Sequence, residues 1–141
     1  LGSLQAGLAF SNASLGAVHA MSHSMGGLLD LPHGECNSIL LEHIIRINFD
    51  TVPERYRDIA KKLGLSVDNV SNFLLLEMII ERIVSIRSSL NIPASIKVAG
   101  LSEQSVDYLV ANALNDPCMV TNPRILAKEE VRSIYGRVLQ P

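Results

Sequence analysis

The first 29 residues, Leu1 to Leu29, contain no Asp, Glu, Lys or Arg, so every formal charge of the chain falls in the 112 residues that follow. An uncharged stretch of this length is long enough to raise the possibility of a transmembrane helix. It nevertheless contains many serines and two histidines, and it has no flanking basic cluster or aromatic belt. We therefore expect a helix buried inside protein and no interaction with a membrane.

Composition narrows the functional classes further. A chain of 141 residues can bury one hydrophobic core, which predicts a single domain over residues 1–141. The net charge of −2 leaves no basic face for a phosphate backbone, and this argues against nucleic-acid binding. The two cysteines, Cys36 and Cys118, form no CxxC pair, which is typical of reduced thiols in a cytoplasmic protein.

Apolar residues recur with a helical period along the whole chain, and well-separated alternating β-branched runs are missing. The predicted fold class is all-α. Six helices are expected, over about residues 8–25, 32–48, 53–64, 67–90, 102–114 and 128–139. Gly26 and Gly27 are expected to end the first helix, and Ser66 to cap the fourth. The apolar stripe from Leu76 to Leu90 predicts that the fourth helix is a central element of a bundle.

Three of the four histidines fall within fifteen positions of the sequence. His19 and His23 are four residues apart, so their rings share one face of a helix. His33 follows the Gly26–Gly27 pair, and an antiparallel return would place it beside that face. The alternative is that each ring only forms hydrogen bonds within the core. Three clustered imidazoles without charged partners instead favour a shared divalent metal ion.

The segment from His19 to Gly26 also fits the HxxxHxxG skeleton of zinc proteases. Ala20 stands where these proteases need a glutamate general base, and Leu29 stands at the position of the third metal ligand. Without a base to activate water, hydrolysis by that mechanism fails, and this argues against the zinc-protease class.

Several segments together resemble the C-terminal signature of the iron-dependent (group III) alcohol dehydrogenases. These segments are AFSNA at 9–13, LGAVHAMSH at 15–23, MGG at 25–27 and PHG at 32–34 followed by Asn37. NDPC at 115–118 and NPR at 122–124 resemble the family's DxCxxxNPR segment, which precedes its last helix. The resemblance covers nearly the whole chain and is strongest over the first quarter.

This resemblance implies the distal part of a dehydroquinate synthase-like helical bundle. It also implies that His19 and His33 are ligands of a catalytic Fe²⁺, for which Zn²⁺ could substitute. His23 matches a histidine that lies beside the nicotinamide and assists in proton handling without binding the metal. Phe10 matches an aromatic residue that lines the substrate and cofactor pocket.

Other parts of the family pattern do not occur in these residues. The family binds NAD or NADP mainly on an N-terminal domain with a glycine-rich phosphate loop, and an earlier helix supplies an Asp and a His to the metal. The chain also begins without Met and enters an apolar pattern at once. We therefore expect part of a cytoplasmic, homo-oligomeric oxidoreductase acting on small primary alcohols or aldehydes, and no turnover by the isolated chain.

A second hypothesis is a stand-alone helical interaction or metal-sensing module without catalysis. Such a module needs a polar, well-capped N-terminus, and the uncharged segment from Leu1 to Phe10 argues against it. The sequence leaves open which alcohol is preferred, whether NAD or NADP is used, and which metal binds, since imidazole suits several divalent ions.

Overall fold

Helices dominate the computed structural model, which describes residues 1–140, and the predicted all-α class is confirmed. The described residues also form two short 3₁₀ helices, Phe49–Thr51 and Pro117–Thr121. A minor parallel pair joins β1 (Ile96–Lys97) to β2 (Leu139–Gln140), with Ile96 opposite Leu139. The α-helices are α1 Gly2–Ala13, α2 Ala17–Leu29, α3 His33–Asn48, α4 Pro53–Lys62, α5 Asn72–Ser89, α6 Glu103–Asn115 and α7 Lys128–Val138.

The predicted first helix is wrong in both its start and its end. The chain breaks between α1 and α2 at Ser14, whose φ of 60° lies in the left-handed region. The helix α2 then continues through both glycines and ends at Asp30, with a φ of 52°. Gly26 serves packing, because a Cβ there would lie 3.3 Å from the Leu31 carbonyl oxygen. Gly26 therefore allows the Leu31 backbone to pack closely against α2, and it does not end the helix.

Within this chain, the uncharged segment is buried in α2 and exposed in α1. Ala17, Ala20, Met21 and Met25 of α2 are fully buried. The helix α1 buries none of its residues, and its leucines and Phe10 are exposed.

The start of α5 also differs from the prediction. Its cap is Ser71, whose hydroxyl accepts the Leu74 N–H, and not Ser66. The preceding residues instead form a turn with Asn69 in the left-handed region, and the Arg57 side chain donates to two carbonyls there. The stripe is central only in its first half, because Ile79 and Ile80 are buried whereas Ile86 and Leu90 are exposed.

The remaining helices begin and end close to the predicted positions. Pro53 opens α4, and Gly64 with a φ of 79° follows its basic last turn. Ser102 caps α6 by accepting the Ser105 N–H. The helix α3 begins after Pro32, as expected. Apolar residues on one face of each of the two helices are buried: Val131, Ile134, Tyr135 and Val138 of α7, and Ile39, Leu40, Ile44 and Ile45 of α3.

The apolar core consists of two clusters that meet at α3. The larger cluster joins α2, α3, α6 and α7 around Met21, Leu40, Leu109 and Tyr135. The smaller cluster joins the end of α3 to α4 and α5 around Leu75. The helix α2 is thus held between α3 and α6, which fixes the two elements that carry the clustered histidines. Within residues 1–140, no helix has the length and apolar character needed to cross a bilayer.

Candidate metal centre

The elements α2 and α3 bring His19, His23 and His33 together. One face of α2 is buried in the core, and the first two histidines lie on the other side. The turn after Asp30 returns the chain, so that His33 starts α3 beside them. The His33 ring centroid lies 5.1 Å from that of His19 and 5.2 Å from that of His23. Each of the three rings offers a nitrogen, and these three nitrogens lie within 4.8 Å of one another.

The closest pair of nitrogens has the spacing expected of two ligands of one ion. His19 Nδ1 lies 3.2 Å from His33 Nε2. Two imidazole nitrogens at about 2.1 Å from a common divalent ion lie roughly 3 to 3.5 Å apart. The observed separation therefore requires little movement for both rings to bind the same ion.

Hydrogen bonds orient the His33 ring. The hydroxyl of the buried Ser22 lies 3.2 Å from His33 Nδ1 and 3.3 Å from the His33 carbonyl oxygen. All three groups are satisfied when Nδ1–H donates to the hydroxyl and the hydroxyl donates to the carbonyl. This tautomer leaves a lone pair on His33 Nε2, the nitrogen that faces His19.

The Asn37 amide nitrogen also lies beside this lone pair, 2.9 Å from His33 Nε2. A neutral ring nitrogen has one lone pair, so a cation bound there would replace the Asn37 amide as its partner. The Asn37 Oδ1 is buried and has no hydrogen-bond partner among the described residues. Sequence reasoning did not select Ser22 or Asn37, although both lie inside the motifs that carry the resemblance.

Burial lowers the pKa of His19, and the neighbouring His33 and His23 lower it further, while Asp116 partly opposes this. The neutral form of the imidazole is the one that binds a metal. The nitrogen donors of His19 and His33 therefore fit a divalent transition metal such as iron or zinc, and they leave coordination positions for other groups.

His23 has a further partner that sequence reasoning missed. Its Nδ1 lies 2.9 Å from Oδ2 of Asp116, the residue that follows α6. The other carboxylate oxygen, Oδ1, accepts the Cys118 N–H at 2.8 Å and so caps the second 3₁₀ helix. The signal for this contact was the NDPC segment, in which the resemblance matched the aspartate without assigning it a role.

Phe10 and His43 lie outside this cluster. Phe10 is on α1 with about half of its surface exposed, at 51%, and the structure does not place it in the cavity beside His19. Its role in a substrate pocket stays a prediction. His43 lies further along α3, with Nε2 3.9 Å from a Glu42 carboxylate oxygen.

An apolar cavity of about 800 Å³ opens beside His19. It extends along α3 between α4 and α5, and its walls include Val18, Leu41, Ile59 and Ile83. A mostly apolar cavity with few polar groups is typical of sites that bind small organic molecules.

Comparisons with known proteins identify a family and several similar proteins. A family model described as Fe-containing alcohol dehydrogenase family, C-terminal, matches residues 1–139. The chain is 39% identical over 133 residues to 1,3-propanediol dehydrogenase of Citrobacter freundii, covering 94% of this chain and 34% of that protein. It is 36% identical over 135 residues to lactaldehyde reductase of Escherichia coli strain K12, covering 96% of this chain and 35% of that protein.

Among solved structures, a crystal structure of 1,3-propanediol oxidoreductase superposes with a TM-score of 0.86 at 38% sequence identity. The match covers 94% of this chain and 35% of that one. The chain thus spans about a third of the length of the curated relatives it matches.

Proposed function

This chain belongs to the Fe-containing alcohol dehydrogenase family, and on that basis we propose that it supplies part of the metal site of an enzyme that interconverts primary alcohols and aldehydes. The observation that carries the proposal is the 3.2 Å separation of His19 Nδ1 and His33 Nε2. Family membership favours this function over a stand-alone interaction or metal-sensing module.

His19 and His33 are the residues proposed to hold Fe²⁺, with the remaining ligands supplied from outside these residues. Ser22 supports the proposal because its hydroxyl orients the His33 ring with a free lone pair on Nε2. The chemistry that Fe²⁺, or Zn²⁺ in its place, would supply is Lewis acidity, which polarises the oxygen of the alcohol and lowers the pKa of its hydroxyl.

His23 is proposed to handle the proton. Oxidation of a primary alcohol transfers a hydride from its carbon to C4 of NAD or NADP and releases the hydroxyl proton. The His23 ring lies beside His33, and its side chain is 43% exposed to solvent. It can therefore accept a proton in the site and pass it to water.

The apolar surroundings are proposed to limit water at the reacting atoms. Val18 and Leu41 line the cavity that opens at His19. Such walls suit the hydrocarbon part of a small alcohol, and the names of the relatives, propanediol dehydrogenase and lactaldehyde reductase, point to the same substrate class. We further propose that Phe10 lines the pocket and that the dinucleotide site lies mainly outside this chain. The assembly is proposed to be homo-oligomeric and its location cytoplasmic.

The test is a set of histidine substitutions in the intact protein. We expect His19→Ala and His33→Ala to lose bound iron and at least about 100-fold in kcat/KM, because each removes a ligand. His23→Ala should keep the iron and lose kcat, because it removes only the proton acceptor. Iron content by elemental analysis and NAD-linked oxidation of 1,3-propanediol are the measurements.

The matched control is His43→Ala, which removes a histidine of the same helix as His33 outside the cluster. It should keep both iron and activity. Full iron content in His19→Ala or His33→Ala would overturn the assignment of the ligands.

A further inference from the structure

Asp116 connects the end of α6 to the histidine cluster through both of its carboxylate oxygens. Oδ1 accepts the Cys118 N–H and Oδ2 lies 2.9 Å from His23 Nδ1. The Asp116 side chain is 17% exposed, against 43% for the His23 side chain. The carboxylate is therefore anchored on the backbone at one oxygen and presents the other oxygen to the ring.

A carboxylate accepts hydrogen bonds and does not donate them, so the contact requires a proton on His23 Nδ1. In a neutral imidazole the second nitrogen, Nε2, then carries the lone pair. The stacking of His23 on His33, with 18° between the ring planes, does not distinguish the two nitrogens. Among the described residues, the hydrogen bond to Asp116 is the contact that distinguishes them.

We propose that Asp116 is the positioning residue of His23: its carboxylate accepts the Nδ1–H and so keeps Nε2 unprotonated and free to accept a proton. This inference rests on the proposed proton-handling role of His23. It assigns a function to a residue that caps a 3₁₀ helix and that would otherwise count as structural.

The charge of Asp116 supports this role. Burial alone would raise its pKa, but the hydrogen bonds from His23 and the Cys118 backbone hold it below the usual value. The group is therefore ionised near neutral pH and remains a pure acceptor.

The discriminating variant is Asp116→Asn in the intact protein. An amide of nearly the same shape can still cap the 3₁₀ helix, because its oxygen can accept the Cys118 N–H. Its NH₂ group then faces His23 Nδ1 and can only donate to it. We therefore expect the tautomer to reverse, with Nδ1 unprotonated and the proton on Nε2.

Two readouts follow. The first is the ¹⁵N chemical shifts of labelled histidine, which should report Nδ1–H of His23 in the parent protein and Nε2–H in Asp116→Asn. They are measured with Zn²⁺ in the site, because paramagnetic iron broadens the signals. Oxidation of 1,3-propanediol by the iron-loaded protein should show kcat lowered roughly 10- to 100-fold, with KM and iron content nearly unchanged. A residue that only stabilised the fold would not change the tautomer.

Asp58→Asn is the matched control, because Asp58 is an exposed residue of α4 that pairs with Lys61. It should change neither readout. Asp116→Ser provides a second test, since serine also caps helices but is too short to keep the same contact with the ring. It should give a mixture of the two tautomers and an intermediate kcat.

An unchanged Nδ1–H tautomer in Asp116→Asn would overturn the inference whatever the activity. A reversed tautomer with full kcat would instead overturn the proposed role of His23 in proton handling. The two failures are thus distinguishable.

Discussion

At the scale of single residues, one tyrosine connects the last helix to the helix that carries His19 and His23. The fully buried Tyr135 donates its hydroxyl to the Met21 carbonyl oxygen at 2.8 Å. Burial raises the pKa of this phenol, so it stays protonated and remains a donor at any physiological pH. A sequence pattern predicts that Tyr135 faces inward, but it does not reveal this partner 114 residues away.

The Tyr135→Phe variant tests the contribution of this bond. The ring keeps its packing and the Met21 carbonyl loses one donor, so we expect the free energy of unfolding to fall by about 1 kcal/mol. Urea denaturation measures the change. Tyr108→Phe, at a position that is 56% exposed, should change it by less than about 0.5 kcal/mol. Equal stability of Tyr135→Phe and the parent protein would contradict the assignment.

The lowered pKa of His43 predicts that the stability of the fold depends on pH. Burial lowers its pKa, the nearby Arg137, Arg87 and Arg46 lower it further, and Glu42 opposes them. The unfolded chain, with a histidine pKa of about 6.5, therefore binds a proton more readily than the folded protein as the pH falls. The contribution of neutral His43 to stability is fully present above that value and decreases below it.

We expect His43→Gln to make the loss of stability between pH 7.5 and 5 less steep, because glutamine does not titrate. Denaturant midpoints at several pH values provide the measurement. Identical slopes for His43→Gln and the parent protein would show that this histidine does not contribute.

At the scale of elements, the start of α2 depends on a side chain far along the chain. Asn122 Oδ1 lies 3.2 Å from the Ala17 nitrogen and 2.9 Å from the Asn48 amide nitrogen. The Asn122 amide in turn donates to Asn48 Oδ1 and to the Arg124 carbonyl. These bonds connect the first residue of α2 to the last residue of α3.

Features that depend on nearby residues could be predicted from the sequence, whereas bonds such as those of Asn122 could not. The spacing of His19 and His23 and the return to His33 are local, so the sequence predicted that the rings lie together, although it placed the turn at Gly26 and Gly27 and the structure places it after α2 ends at Leu29. Two other features depend on residues about 100 positions apart in the chain. They are the bond from Ala17 to Asn122 at the start of α2 and the pairing of His23 with Asp116. No local pattern contains such partners, and those features appear only in the folded protein.

Asn122→Ala should therefore weaken both the fold and the site. The loss leaves the Ala17 N–H and the buried Asn48 amide without partners, which we expect to cost about 2 to 3 kcal/mol. Because His19 lies two residues after Ala17, the affinity for Fe²⁺ should fall as well. Denaturation midpoints and metal titration measure these effects.

Asn115→Ala is a suitable control, since the exposed Asn115 amide only donates to the Ala111 carbonyl of its own helix. It should cost less than about 0.5 kcal/mol and leave metal affinity unchanged. If Asn122→Ala behaved like this control, the start of α2 would not depend on Asn122.

At the scale of the whole molecule, the two core clusters stabilise different sets of helices. The larger cluster surrounds α2 and supports the histidines, whereas the smaller one holds α4 and α5 against the end of α3. The Arg87 guanidinium of α5 donates to the Glu42 carboxylate of α3 at 2.8 Å, so a buried ion pair supplements the apolar contacts of the smaller cluster. The helix α3 is the element that contributes residues to both clusters.

We expect the smaller cluster to open separately from the site. Leu75→Ala removes a fully buried side chain from this cluster and should cost about 2 to 5 kcal/mol there. Native-state hydrogen exchange should then become faster in α4 and α5 and stay nearly unchanged in α2 and α6, because none of the buried residues of α2 and α6 belongs to that cluster. The neighbouring Leu74→Ala, at a position 50% exposed, should alter neither pair of helices. Equal acceleration in all four helices would mean that one cooperative unit spans both clusters, and that the histidine site opens whenever α4 and α5 do.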